Sequence, residues 1–293
     1  MTYGSVCFAE RNLAEVGNLR KVNQIVIYSS ARRRDMNRKP LALANWKMAM
    51  TIPESLVFVR EFRAVVGDLA RAVDIVLCPP HTALYAIAQD LAGSPIALGA
   101  QNLCAAPGLA HTGEISAPLL ADAGCEWVML NHWEIRRSRN ETDADINRKI
   151  RAAFEASLRP ILLIGESATE RGQAREILET RLPTILAGCT RAQVAQMALL
   201  YEPEWTIGVK EPAPPEYVAA GCGIIRQWLS RTYGAGCAST IRIIYGGSVT
   251  PEYATGLLAS PQVDGAGAGR KGRDPAAFAE IVRLIAAAKG LAQ

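Results

Sequence analysis

Eight short apolar runs, each parted from the next by a helix-like stretch, leave this chain very few architectures. The runs are Leu41–Ala44, Ile75–Cys78, Ile96–Ala100, Trp127–Leu130, Ile161–Ile164, Ala198–Tyr201, Ile241–Tyr245 and a weaker, glycine-rich Val263–Ala268. None alternates apolar with polar residues, as expected of parallel strands covered on both faces. Between them, Pro53–Phe62 sets Leu56, Val59 and Phe62 at helical spacing behind a first-turn proline, and Ala144–Ala156, Arg171–Leu182, Tyr217–Ser230 and Asp274–Lys289 read similarly. Eight strands alternating with helices over about 250 residues is the arithmetic of an α/β chain closed into a (β/α)8 barrel. An open doubly wound sheet is the structural rival. It calls for a glycine fingerprint after the first strand, where this chain has Asn45-Trp46-Lys47-Met48.

Composition agrees with a globular chain that buries a large core: 293 residues, 49% hydrophobic and 20% charged. The net charge of +4, from 32 basic and 28 acidic residues, is too mild and too evenly spread to point to nucleic acid or a membrane surface. Seven cysteines without a C-x-x-C pair, and three scattered histidines (His81, His111, His132), argue against a metal site and for free thiols in a reducing cytosol. No apolar run reaches membrane-span length, and no secretory leader is expected. Residues 1–35 carry basic clusters around a single apolar run, Ile25–Tyr28. They read as a poorly ordered extension, or as sequence upstream of a natural start at Met36, with the barrel domain over 36–293.

In a barrel, the residues just after each strand converge on one face. Here they are Asn45 and Lys47 after strand one, Gln101 and Asn102 after strand three, and His132 and Glu134 after strand four. Strand six ends in Glu202, strand seven in Gly246-Gly247-Ser248, and Gly269-Arg270 follows strand eight. Taken singly, Lys47 reads as a solvated amine, His132 as a structural histidine and Gly246-Gly247-Ser248 as a turn. Gathered on one rim, they supply a base, a neutral hydrogen-bond donor, a fixed cation and backbone amides. That set suits proton abstraction beside a carbonyl on an anionic substrate. Behind Glu202, Pro203-Glu204-Trp205 opens a loop stiff at its start, of the kind that closes over a bound molecule.

Five stretches carry a family resemblance: Asn45-Trp46-Lys47-Met48, Gly99-Ala100-Gln101-Asn102, Thr112-Gly113-Glu114-Ile115-Ser116, Tyr201-Glu202-Pro203 with Trp205 and Ile207-Gly208, and Tyr245-Gly246-Gly247-Ser248-Val249. From about Met36 to the C-terminus the chain resembles the triosephosphate isomerase family, in order and spacing. The resemblance implies a TIM barrel, a cytoplasmic homodimer without metal or organic cofactor, acting on a small phosphorylated sugar through an enediolate. It assigns Glu202 as the proton shuttle, His132 to the carbonyl and hydroxyl oxygens, and Lys47 to offset negative charge, with Asn45 helping to hold lysine and substrate. Pro203 to about Ala213 becomes the lid. Amides of Gly208, Ser248 and the Gly269 loop cradle the phosphate, and Thr112 reaches a neighbouring subunit.

Four departures stand out. Asn131-His132-Trp133-Glu134 replaces the family's Gly-His-Ser-Glu, setting a large ring where crowding of Glu202 is expected. The far side of the lid is Val209-Lys210-Glu211-Pro212-Ala213-Pro214-Pro215, proline-rich where the family hinge is flexible. Gly269-Arg270 replaces a glycine pair that lets backbone approach phosphate, and Arg270 offers a guanidinium instead. Strand eight has lost its bulky aliphatics, so looser barrel closure is expected. The Gly-Arg pair and the lid resemble the branch that isomerises erythrulose phosphates, which stands as the alternative substrate class. A non-catalytic phosphate-binding barrel is the alternative from outside enzymes.

Overall fold

The computed structural model of the chain describes residues 38–291. Both the extension expected over residues 1–35 and the domain start at Met36 lie outside the described residues. Eight parallel strands, β1 (Leu41–Asn45), β2 (Asp74–Cys78), β3 (Ile96–Ala100), β4 (Trp127–Leu130), β5 (Arg159–Ile164), β6 (Ala198–Tyr201), β7 (Arg242–Tyr245) and β8 (Gly265–Ala268), pair in sequence order and close into a barrel. All eight expected runs are therefore strands; three coincide at both ends and the others shift by one or two residues.

The helices among the described residues are α1 (Ile52–Val66), α2 (Leu69–Ala72), α3 (Leu84–Asp90), α4 (Ala117–Asp122), α5 (Trp133–Arg139), α6 (Asp143–Glu155), α7 (Ala174–Ile185), α8 (Arg191–Gln196), α9 (Pro215–Tyr233), α10 (Ala235–Thr240), α11 (Pro251–Leu258) and α12 (Pro275–Ala288). Their starts are marked locally. Glu54 accepts the Thr51 N–H at 2.7 Å ahead of α1, and Thr142 and Asp145 exchange side chain and backbone bonds ahead of α6. The helix expected from Arg171 begins only at Ala174, because Gly172 takes a left-handed φ of 94° and breaks the turn.

Two apolar layers explain why the strands do not alternate. Leu41, Leu43, Val76, Met129, Leu163 and Leu200 fill the barrel interior. Their neighbours Ala42, Ala44, Ile75, Leu77, Val128 and Leu162 face the surrounding helices. With both faces buried, no position along a strand can be polar until the strand ends.

The expected loosening at strand eight is confined to one seam. β8 pairs with β1 over four residues, Leu41–Ala44 against Gly265–Ala268, but with β7 only at Tyr245 and Ala266. Glycine is required on the β1 side, since a Cβ at Gly265 would sit 1.8 Å from the Leu41 carbonyl oxygen. Inside the barrel, Leu200 and Leu43 occupy the space that bulky side chains on β8 would take, each within 4 Å of a Cβ built on Gly267. The ring closes with the missing bulk supplied from across the core.

Candidate active site

The carboxyl ends of the strands open on a cleft of about 250 Å3, and Asn45, Lys47, His132, Glu202, Ser248 and Arg270 all line it. Lys47 is held by its backbone. The Asn45 Oδ1 accepts the Lys47 N–H at 2.9 Å, bending the chain into a left-handed φ of 52° at Lys47. The Gln101 amide donates to the Lys47 carbonyl at 2.8 Å and to the Cys78 carbonyl at 3.0 Å, pinning this turn to the end of β2. The lysine Nζ meets Glu134 Oε1 at 2.5 Å. Burial pushes the Glu134 carboxyl up, but the hydrogen bond from Lys47 and the charges of His132 and Lys47 hold it below its ordinary value.

His132 sits at the cap of α5, where its Nδ1 accepts the Glu134 N–H at 3.2 Å. In the neutral ring this leaves the proton on Nε2, and Nε2 faces Glu202 Oε2 at 3.9 Å. That gap is too long for a hydrogen bond, so both groups keep their capacity for a third party. Asn131 stands where the family has glycine and takes φ 72°, a conformation asparagine tolerates. Its side chain bonds to the Leu163 carbonyl at 2.7 Å and to Arg136 at 3.0 Å.

Glu202 follows β6 and is almost wholly buried. Its N–H donates to the Ile164 carbonyl at 2.9 Å. A Cβ at Gly165 would lie 2.4 Å from the Glu202 carbonyl oxygen, so glycine is needed there for the two loops to touch. The carboxylate Oε2 finds no hydrogen-bond partner among the described residues. Burial raises this carboxyl above its ordinary value against the opposing pull of His132 and Lys47, while Glu134 adds to the rise. Trp133 makes its polar contact with the main chain of Glu202. Its indole Nε1 donates to the Glu202 main-chain oxygen at 3.1 Å, and the Arg181 guanidinium lies 5.5 Å from its ring, so the large side chain holds the backbone of the strand end.

The segment Pro203–Ala213 is anchored on both flanks. Trp205 donates through its indole to Glu166 Oε1 at 3.1 Å, and the hydroxyls of Tyr201 and Tyr217 donate to the same buried carboxylate at 3.0 and 2.7 Å. The Arg171 guanidinium covers the Trp205 ring at 4.0 Å. On the far flank, the Ala213 N–H donates to Tyr245 Oη at 3.0 Å, and Ser248 Oγ donates to the carbonyls of Thr206 and Val209 at 3.1 and 2.7 Å. Of the prolines in this hinge, Pro215 is the first residue of α9, where its missing N–H costs nothing, while Pro212 and Pro214 lie in the loop ahead of it.

Gly208, at φ 75°, and Ser248, at φ 42°, sit on the cleft wall, as do Gly269 and Arg270. A Cβ at Gly269 would meet only the Lys47 Cε at 3.9 Å, an ordinary contact, so the structure does not require glycine there. Arg270 is exposed at the same wall. Thr112 is exposed on the loop after β3, away from this cleft's lining. Gln101 and Glu134 take tasks here that their position after a strand does not assign, and Glu166, Lys271 and Arg273 join the site or its lid without a signal in the strand-end pattern. The signal for Glu134 was present: it lies two residues beyond His132 at a helix start, where a carboxylate turns toward the strand ends. Among the described residues, no three His, Cys, Asp or Glu side chains are placed to hold a metal ion.

Comparison with known proteins places the chain in a family. The family model for triosephosphate isomerase matches residues 40–285. A triosephosphate isomerase of Chloroflexus aurantiacus is 42% identical over 247 residues, covering 84% of this chain and 98% of that protein. One from Symbiobacterium thermophilum is 41% identical over 254 residues, covering 86% and 99%. The crystal structure of triosephosphate isomerase from Bartonella henselae is similar with a TM-score of 0.75 at 31% identity, covering 84% of this chain and 98% of that one.

Proposed function

This chain belongs to the triosephosphate isomerase family, and we propose that it interconverts dihydroxyacetone phosphate and glyceraldehyde 3-phosphate at the cleft described above. One observation carries the reading. A buried carboxylate oxygen of Glu202, without a hydrogen-bond partner among the described residues, lies 3.9 Å from His132 Nε2, close enough for both to touch one small carbonyl compound seated beside them in the cleft. The roles are those the family resemblance assigns. Glu202 takes a proton from the carbon beside the ketose carbonyl and returns it to the neighbouring carbon. The His132 Nε2–H serves the carbonyl and hydroxyl oxygens of the enediolate, and Lys47, with Asn45 behind it, offsets the developing charge. Backbone amides near Gly208, Ser248 and Gly269 hold the phosphate, with Arg270 beside them. The lid excludes water and keeps the enediolate from losing phosphate.

A coupled assay of the purified chain tests this. Glu202→Asp withdraws the base by about 1 Å and is expected to lower kcat about 100-fold. Turnover unaffected by that change would end the assignment. The exposed Arg270 at the cleft wall favours a second reading, a four-carbon ketose phosphate. The two separate when both substrates are compared: a higher kcat/KM for the three-carbon ketose phosphate is expected, and the reverse order would move the assignment to the tetrulose.

We further propose a homodimer in a reducing cytosol. Met48 beside Lys47 is 99% exposed and Leu109 on the loop after β3 is 101% exposed, an unusual display of large apolar side chains. Thr112 on that same loop is the residue the resemblance sends into the neighbouring subunit. Light scattering of the full chain at micromolar concentration is expected to give twice the chain mass, and Leu109→Glu to shift it toward the single-chain mass with loss of activity.

A further inference from the structure

The cleft carries more positive charge than a single phosphate group uses. Its lining includes five cationic side chains, Lys47, Lys210, Arg270, Lys271 and Arg273, against one carboxylate, Glu202. Lys47 is paired with Glu134. The other four make no ion pair among the described residues, whereas Arg38, Arg226 and Arg242 at the opposite end of the barrel are each bound to a carboxylate. Arg270, Lys271 and Arg273 come from one short turn, which cannot move away from the cleft easily. The Arg273 N–H donates to the Arg270 carbonyl at 3.3 Å, and the Trp46 indole donates to the Gly272 carbonyl at 2.8 Å. A Cβ at Gly272 would lie 3.1 Å from that of Ala44, so the turn is seated directly on β1. Lys210 joins them from the lid. Like charges gathered around one opening repel each other unless an anion lies between them.

From this arrangement we propose a second anion position at the solvent-facing edge of the cleft, formed by Lys210, Lys271 and Arg273 beside Arg270. It takes the far end of a short ligand that carries two phosphate groups. The inner phosphate lies against the backbone amides, and the outer one meets guanidinium and ammonium groups, which grip phosphate by charge-assisted hydrogen bonds. Bisphosphorylated short polyols and sugars are thus competitive inhibitors, held more tightly than their monophosphates. The inference rests on the isomerase reading only in placing the inner phosphate.

The test uses the full chain with two linear probes on the same four-carbon chain, 1,4-butanediol bisphosphate and 4-hydroxybutyl phosphate. Binding is read by thermal shift and by inhibition of triose phosphate turnover. The bisphosphate is expected to bind at least about tenfold tighter at low salt, with the gap narrowing at about 0.3 M salt as screening shortens. In a Lys271→Gln, Arg273→Gln double variant the ratio of the two constants falls to near one, while Arg273→Lys, which keeps the charge, retains most of it. Equal binding of the two probes, or a gap that survives in the double variant, overturns the proposal. If turnover is absent but the thermal-shift gap is present, the isomerase reading fails and the second anion position stands. Turnover with equal binding does the opposite.

Discussion

Glu202 is useful because it is badly solvated. Burial holds its carboxyl above the ordinary value, which makes the anion a stronger base and also a burden on the fold. For a carboxylate raised in the folded state, the folded form binds the proton better than the unfolded chain does. Stability therefore falls as pH rises from the unfolded value toward the raised one, and the penalty is fully present above it. Glu202→Gln, which cannot ionise, is expected to melt at a higher temperature than the parent at pH 8, with the difference fading toward pH 4, while kcat drops about 1000-fold. The acid limb of the parent's kcat/KM profile is expected above the usual carboxylate range; a limb at or below that range would contradict the burial. Gln101 acts at one remove. Its amide holds the Lys47 carbonyl, so Gln101→Leu leaves that carbonyl without its donor, while the Cys78 carbonyl keeps only the Trp46 N–H. A loss of about 1–3 kcal/mol in urea denaturation is expected, with a kcat/KM about tenfold lower because the lysine loses its seat.

Among the elements, the lid depends on the hydroxyls of Tyr201, Tyr217, Tyr245 and Ser248 and on one carboxylate, Glu166. Tyr245→Phe removes the acceptor for the Ala213 N–H at the far hinge. One net hydrogen bond is worth about 1 kcal/mol, so kcat/KM is expected to fall about fivefold, with faster amide exchange at Ala213 and no change at the near hinge. The near hinge answers instead to Glu166, whose carboxylate gathers Tyr201, Trp205 and Tyr217. The elements themselves were readable from the chain because strands buried on both faces leave uninterrupted apolar runs, and the catalytic candidates were readable because they follow those runs. Side-chain direction was not. Nothing in the spacing says that the Trp133 indole turns to the backbone of Glu202, or that Pro215 begins a helix where a rigid hinge was expected. Short helices such as α8 and α10 were missed because six residues hold too few apolar positions to show a period. The loss of bulk on β8 was visible, but its compensation by Leu43 and Leu200 depends on contacts across the barrel that no local pattern records.

The molecule as a whole divides its labour between two rims. At the carboxyl ends of the strands lie cations and a carboxylate oxygen that have no partner among the described residues, groups kept free for a ligand. At the amino ends, the charges of Arg38, Arg226, Arg242, Asp74 and Asp264 are paired. Asp264, just ahead of β8, accepts from Arg38 at 2.7 Å, from Arg226 at 2.6 Å and from the Ile243 N–H at 2.8 Å, and it is 3% exposed. Because β8 meets β7 at only one residue pair, this carboxylate ties the end of the barrel that the ladder leaves weakest. Asp264→Ala would strand two guanidinium groups in a site with little water and leave the Ile243 N–H without its acceptor. Removing one partner of such a buried network costs about 3–5 kcal/mol, so the urea midpoint is expected to fall accordingly. KM is expected to stay within about twofold, because this face stabilises the barrel while the opposite one binds and reacts. A variant that kept its stability but lost affinity for substrate would show that the two rims are coupled through the barrel core and are not independent.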